Sequence, residues 1–245
     1  IASLLGMLRV NIVTINGVDE GRRGMLLKAE KDESIERFIS IVSTMENINV
    51  TKFRMPKLRD RLAVRHGHYI PKDADEKNTF RFVRSELGIL VDFMAELFKK
   101  DGNKLIGIRG MPRVGKTESV VAASVCANKR WIFLSSTMIK QTVRSSLIGD
   151  EFNGNNIFIL DGAVTRRSND ERHQQLVREM MRMDTVKVVE HPDIFVQHSE
   201  YKIEDFDYII ELRNDPDEEI TYELIEKSNM MSSVNDFGGF GGFNF

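Results

Sequence analysis

A chain of 245 residues, 41% hydrophobic and 29% charged with a formal net charge of -2, has an ordinary globular composition. That length suffices for one sizeable core, or one core with a small satellite domain. No run approaches the roughly 20 apolar residues of a membrane helix, so no membrane association is expected. The apolar opening Ile1–Ile15 is interrupted by Arg9 and Asn11, and lacks the basic start and small-residue cleavage site of a secretory signal. A single cysteine, Cys126, excludes an internal disulfide framework and any cysteine-cluster metal site, and fits a reducing, cytoplasmic setting.

In chain order, Leu8–Ile15 is rich in Val, Ile and Thr and reads as a short strand. A helix is expected from Asp32, its cap, to about Asn47, because Ile35, Phe38, Ile39, Val42 and Met45 recur at helical spacing. A basic segment follows. Lys52, Arg54, Lys57, Arg59, Arg61 and Arg65 face a single Asp60, with His66 and His68 after them. Such a run can neutralise backbone phosphates without reading sequence, and Phe53 within it offers a stacking face, so nucleic acid is an expected partner through Lys52–Arg65. A solvated surface accounts for the same charges. Pro71–Asn78 reads as a polar link, and Phe80–Lys100 as an amphipathic helix carrying Phe82, Val83, Leu87, Leu90, Val91, Met94 and Leu97.

From Lys104 onward, apolar strands alternate with helices. Strands are expected at Leu105–Ile108, Trp131–Ser135, Ile157–Leu160, Val186–Val189 and Tyr208–Leu212, with helices at Thr117–Asn128, Met138–Leu147 and Asn169–Met183. This pattern predicts an α/β fold with a parallel five-stranded sheet, because near-continuous apolar runs are what strands buried on both faces require. The expected organisation is a small mixed α/β domain over residues 1–79, the sheet domain over 80–226, and a tail over 227–245. The tail ends NDFGGFGGFNF, where Phe237–Phe245 offers aromatic groups for a protein partner.

Residues 110–117 read GMPRVGKT, between an apolar strand and a good helix. The spelling matches the phosphate-binding pattern G-x-x-x-x-G-K-[ST]. Gly110 and Gly115 let the backbone approach phosphates closely, and the amides around Val114–Thr117 converge on their oxygens at a helix N-terminus. Met111, Pro112 and Arg113 complete the loop, and Glu118 flanks it. Lys116 is expected on the β- and γ-phosphates and Thr117 on Mg2+. Downstream, NIFILD ends an apolar strand on Asp161, placed to hold the metal with Thr117.

These two motifs resemble the P-loop NTPase superfamily over roughly Leu105–Leu212, and the strand spacing between them is similar to that of AAA+ and RecA-like ATPases. The resemblance implies ATP and Mg2+ as ligands, hydrolysis as the reaction, and a homo-oligomer as the working form. It also implies a glutamate after the metal-binding aspartate, but Gly162 and Ala163 stand there instead. Glu190, closing VKVVE, is the preferred alternative for orienting water, with Glu118 second. Arg166, with Arg167 beside it, is the candidate for stabilising charge on the terminal phosphate. No N-K-x-D motif follows, which favours ATP over GTP. Two other classes stay open, a small-molecule or nucleotide kinase on the same loop, and a nucleotide-dependent assembly switch.

Overall fold

The computed structural model of the chain describes residues 1–74, 76, 78–134, 155–162 and 171–221, with the side chains of 171–173 excepted. The expected helix Met138–Leu147, Ser135, Arg166, Arg167 and the Phe237–Phe245 tail lie outside the described residues. The chain divides into two compact units, Ile1–Ile70 and Pro71–Phe245.

In the first unit, α1 (Ala2–Met7) leads into an antiparallel hairpin of β1 (Val10–Asp19) and β2 (Arg22–Ala29), followed by α2 (Asp32–Val42) and α3 (Leu58–His66). The expected first strand is thus longer, and it has a partner that its own sequence does not announce. Leu5, Val10, Phe38 and Val42 form one small core, and Val18, Ala63 and Val64 another. α2 starts near the expected place, but Asp32 is its first helical residue and Lys31, not Asp32, is the N-cap; the helix stops at Val42, short of Asn47. There the Ser43 and Thr44 hydroxyls donate to Ile39 O (2.8 Å) and Ile41 O (2.7 Å). Such local bonds compete with continuation of a helix.

The second unit is built on a six-stranded, wholly parallel sheet. Its strands are β3 (Thr79–Val83), β4 (Lys104–Gly110), β5 (Arg130–Leu134), β6 (Asn156–Asp161), β7 (Val186–Glu190) and β8 (Tyr208–Arg213), in spatial order β3-β8-β4-β7-β6-β5. Each expected strand is present, but the sheet has six strands among the described residues, not five. The additional one, β3, takes the first residues of the expected helix Phe80–Lys100. In Thr79–Val83 an exposed Arg81 separates the buried Phe80 and Phe82, a period-2 pattern that fits a strand. Both rings pack on Phe93, at centroid distances of 4.9 and 5.6 Å. Phe93 belongs to α4 (Leu87–Phe98), which starts only after a 3-10 turn at Arg84–Glu86. Strand and helix therefore serve one aromatic cluster, and their apolar positions merge into what reads as a single helical stripe.

Among the described residues the unit also has the helices α5 (Lys116–Cys126), α6 (Glu171–Arg182) and α7 (Pro192–Gln197) and a 3-10 turn at Ile203–Asp205. Successive strand residues face opposite sides of the sheet. On one face Leu105, Phe158, Leu160, Val189 and Ile209 share a core with Leu176, Val177, Met180 and Met181 of α6 and with Phe195 of α7. α7 lies close against this face, since a Cβ on Gly107 would come 2.7 Å from Ile209 Cδ1 and 2.8 Å from Pro192 Cγ. The alternate residues, among them Ile157, Ile159 and Asp161 on β6 and Val186, Val188 and Glu190 on β7, point to the other face, where α5 contacts β4 and β7.

Lys187 falls on the α6 face, where only 1% of it is exposed. Its ammonium donates to Met181 O (3.2 Å), Met183 O (2.5 Å) and Asn103 Oδ1 (2.5 Å), closing the C-terminal end of α6. Burial pulls its pKa from 10.5 down to about 8, against the charges of Asp184 and Asp207. Between those pH values the unfolded chain holds a proton that the folded chain has shed, so stability rises with pH across that window. The full effect is on the order of 3 kcal/mol at about 1.4 kcal/mol per pH unit. Urea titrations from pH 7.5 to 10.5 are expected to show this rise in the wild type and a clearly flatter profile in Lys187→Met. Identical profiles would mean that Lys187 titrates as it does in water.

Candidate active site at the carboxyl edge of the sheet

The GMPRVGKT loop joins the end of β4 to the start of α5. Gly110 has φ 158° and Gly115 φ 109°. A Cβ on Gly110 would sit 2.5 Å from Leu212 O and 2.9 Å from Val114 Cγ1, so the loop closes onto β8 only because that position lacks a side chain. Arg113, at the exposed tip, has φ 64°, and its carbonyl accepts from Arg84 Nη1 at 2.7 Å. Gly115 caps α5 with its left-handed backbone, Val114 is fully buried, and Met111 and Pro112 are half-buried.

Lys116 is 6% exposed, and its ammonium folds back to donate to Gly110 O (3.0 Å) and Met111 O (2.9 Å). It forms no salt bridge among the described residues, so its charge is held by carbonyl dipoles inside the loop. Burial pushes its pKa down, while the nearby Glu190 and Asp161 carboxylates pull it back up. The cradle is thus concave, has backbone amides at a helix N-terminus, and contains a cation with no anion bonded to it. That donor set suits a phosphate chain.

The strand order brings the distant acids to this loop. β7 lies between β4 and β6, with Ile108 in register with Glu190 and Glu190 in register with Asp161. Both acids therefore end adjacent strands on the α5 face. Thr117 Oγ1 donates to Glu190 Oε1 at 2.5 Å, a contact across 73 positions of sequence. Burial raises the Glu190 pKa. The Thr117 hydrogen bond and the Lys116 charge oppose that shift, and Asp161 adds to it. Lys116, Thr117, Asp161 and Glu190 are thus brought together. Glu118, the second candidate, is exposed, and its Oε2 would lie 3.2 Å from a Cβ on Gly115. Arg166, the remaining expected catalytic residue, lies outside the described residues.

Two features escape a linear reading. His191 follows Glu190 in a left-handed conformation (φ 56°) and caps α7, with Pro192 next. It is 6% exposed, and its Nδ1 has no hydrogen-bond partner. Burial, with the Lys116 charge as the next cause, pushes its pKa down to about 4, so the ring is neutral at pH 7. The second feature is a buried charge row on the α7 face. Arg109 donates to both Asp193 oxygens at 2.9 Å, to Glu76 at 2.7 Å and to Glu211 at 3.3 Å. Glu211 also accepts from Arg81 (3.0 Å) and Arg213 (2.8 Å). The row links β3, β8 and β4 to the start of α7, directly behind the loop.

The basic segment of the first unit forms much of α3. Arg54 pairs with Asp60 at 2.6 Å, and Arg59 Nη2 donates to Ile70 O at 2.5 Å. Arg54 and Arg59 are therefore engaged within the unit, and Arg61 and Arg65 have partners as well. No helix among the described residues is long and apolar enough to cross a membrane.

A family model described as Protein of unknown function (DUF3388) matches residues 50–240. The chain is also 67% identical over 245 residues to a Bacillus subtilis (strain 168) protein described as "Uncharacterized protein YmfK". That similarity covers 100% of this chain and 90% of the relative.

Proposed function

The chain belongs to the DUF3388 family of proteins of unknown function, and we propose that it is a Mg2+-dependent ATPase acting at the Gly110–Thr117 loop. The observation carrying this reading is Lys116, buried without an ion pair among the described residues, beside Thr117, Asp161 and Glu190. The loop amides at the start of α5 bind the phosphate chain. Lys116 exchanges its two carbonyl partners for phosphate oxygens. Thr117 and Asp161 would hold Mg2+, and the metal would there neutralise charge developing on the transferring phosphoryl group. Glu190, released from the Thr117 hydroxyl, orients the attacking water. His191 offers that region a neutral imidazole with unused hydrogen-bonding capacity. Nucleotide chemistry is favoured over nucleic-acid binding as the core activity, because Arg54 and Arg59 are already bonded internally.

Glu190→Gln tests the assignment of the water-orienting group. Turnover is expected to fall by about 10²- to 10⁴-fold, the usual share of a general base, with ATP affinity within about threefold of wild type. The loss should persist at saturating Mg2+. Recovery at high Mg2+ would instead place Glu190 on the metal side through Thr117, and unchanged turnover would remove it from the reaction.

A further inference from the structure

On the α6 face, away from the loop, a cavity of about 310 Å³ opens between α6 and the segment from Phe195 to Tyr201. Its volume is at the lower end of small-ligand pockets. The apolar part is Val177, Met181, Phe195 and Tyr201. The first three are at most 8% exposed, and the Phe195 and Tyr201 ring centroids are 5.7 Å apart. Opposite charges line its two sides, Arg178 on α6 and Glu200 on the segment after α7. Neither takes part in a salt bridge among the described residues.

Apolar surface alone would suit any small hydrophobe. A guanidinium and a carboxylate on different walls narrow the choice, since a phosphate or dicarboxylate would meet Glu200 and a polyamine would meet Arg178. His198 also lines the cavity, and the charges of Arg182 and Asp205 reach Tyr201 in its wall. A ligand carrying one carboxylate, one ammonium and one apolar group satisfies all three features at once. We propose that this cavity binds a free amino acid with an apolar side chain, and that its occupancy is coupled to the nucleotide site.

The route of coupling is short. A Cβ on Gly162, the residue after Asp161, would lie 3.1 Å from Phe195 Cβ, 2.5 Å from His191 O and 2.8 Å from Glu190 O. Phe195 in the cavity wall therefore packs directly on the strand ends that carry both acids. α7 begins at the turn containing His191 and is tied to β4 by Asp193–Arg109. A ligand against Phe195 presses on that turn, and the linkage is reciprocal. The coupling half rests on the nucleotide reading, whereas the ligand site stands apart from it.

Isothermal titration of the full chain with L-phenylalanine, L-methionine and L-leucine tests both halves. At least one is expected to bind saturably, and Arg178→Ala and Glu200→Ala, both at exposed positions, are each expected to weaken binding at least tenfold. Hydrocinnamate and phenethylamine, each lacking one charge, should be weaker by a similar factor than L-phenylalanine. Absence of saturable binding by all three amino acids, or binding unchanged in both variants, overturns the site. Repeating the titration with ATP and Mg2+ present should shift amino-acid affinity at least threefold, and an unchanged affinity overturns the coupling. A wild-type chain that binds the amino acid but not ATP refutes the nucleotide reading and retains the ligand site, whereas one that binds only ATP does the reverse.

Discussion

Replacing Lys116 with alanine is expected to lower ATP affinity at least a hundredfold while leaving the fold intact. The ammonium would make charge-assisted bonds to phosphate oxygens, worth about 1.5–3 kcal/mol each. Losing two such bonds corresponds to about a hundredfold or more at roughly 1.4 kcal/mol per decade. Folding should respond in the opposite sense or not at all. Burial already pushes the Lys116 pKa down, so the charge costs the folded state energy, and its two partners are loop carbonyls. The combination of lost binding and undiminished melting temperature distinguishes a ligand-binding lysine from a structural one. An affinity within threefold of wild type would refute the role of Lys116.

Arg109→Ala is expected to do the reverse, destabilising the second unit by about 3–5 kcal/mol, as breaking a buried ion pair typically does. Its guanidinium is 9% exposed and satisfies Asp193, Glu76 and Glu211 together. Without it, Glu211 keeps Arg81 and Arg213, but Asp193 and Glu76 lose the cation that fixes them. Because Asp193 sits in the first turn of α7, loosening should be greatest around His191 and Phe195. Urea denaturation gives the total, and amide exchange along residues 190–197 its location. A loss below about 1 kcal/mol would mean that solvent replaces Arg109 without penalty.

The contrast between these residues explains how much of the molecule the sequence discloses. The Gly110–Thr117 loop is contiguous, and its glycines, lysine and threonine are spelled within eight residues, so its position between β4 and α5 follows from local pattern. The strands β4, β6, β7 and β8 are buried on both faces and appear as short apolar runs, whereas β5, at the edge of the sheet, is buried only at Leu134. β3 is hidden because Phe80 and Phe82 share the Phe93 cluster with a helix that begins four residues after the strand ends. β2 is hidden because Arg22, Arg23 and Gly24 spoil its alternation, and its pairing with β1 is what orders it. Asp161 and Glu190 can be placed at strand ends from sequence. The Thr117–Glu190 bond cannot, because it depends on β7 lying between β4 and β6. His191 gives no local signal either, since its burial is created by the left-handed turn into α7.

Equilibrium titration of the full chain with ATP, in the presence and absence of Mg2+, decides whether the Gly110–Thr117 loop is an ATP site. Saturable one-to-one binding that tightens with Mg2+ and exceeds that of GTP is expected. An absence of saturable ATP binding with or without Mg2+ would contradict that assignment.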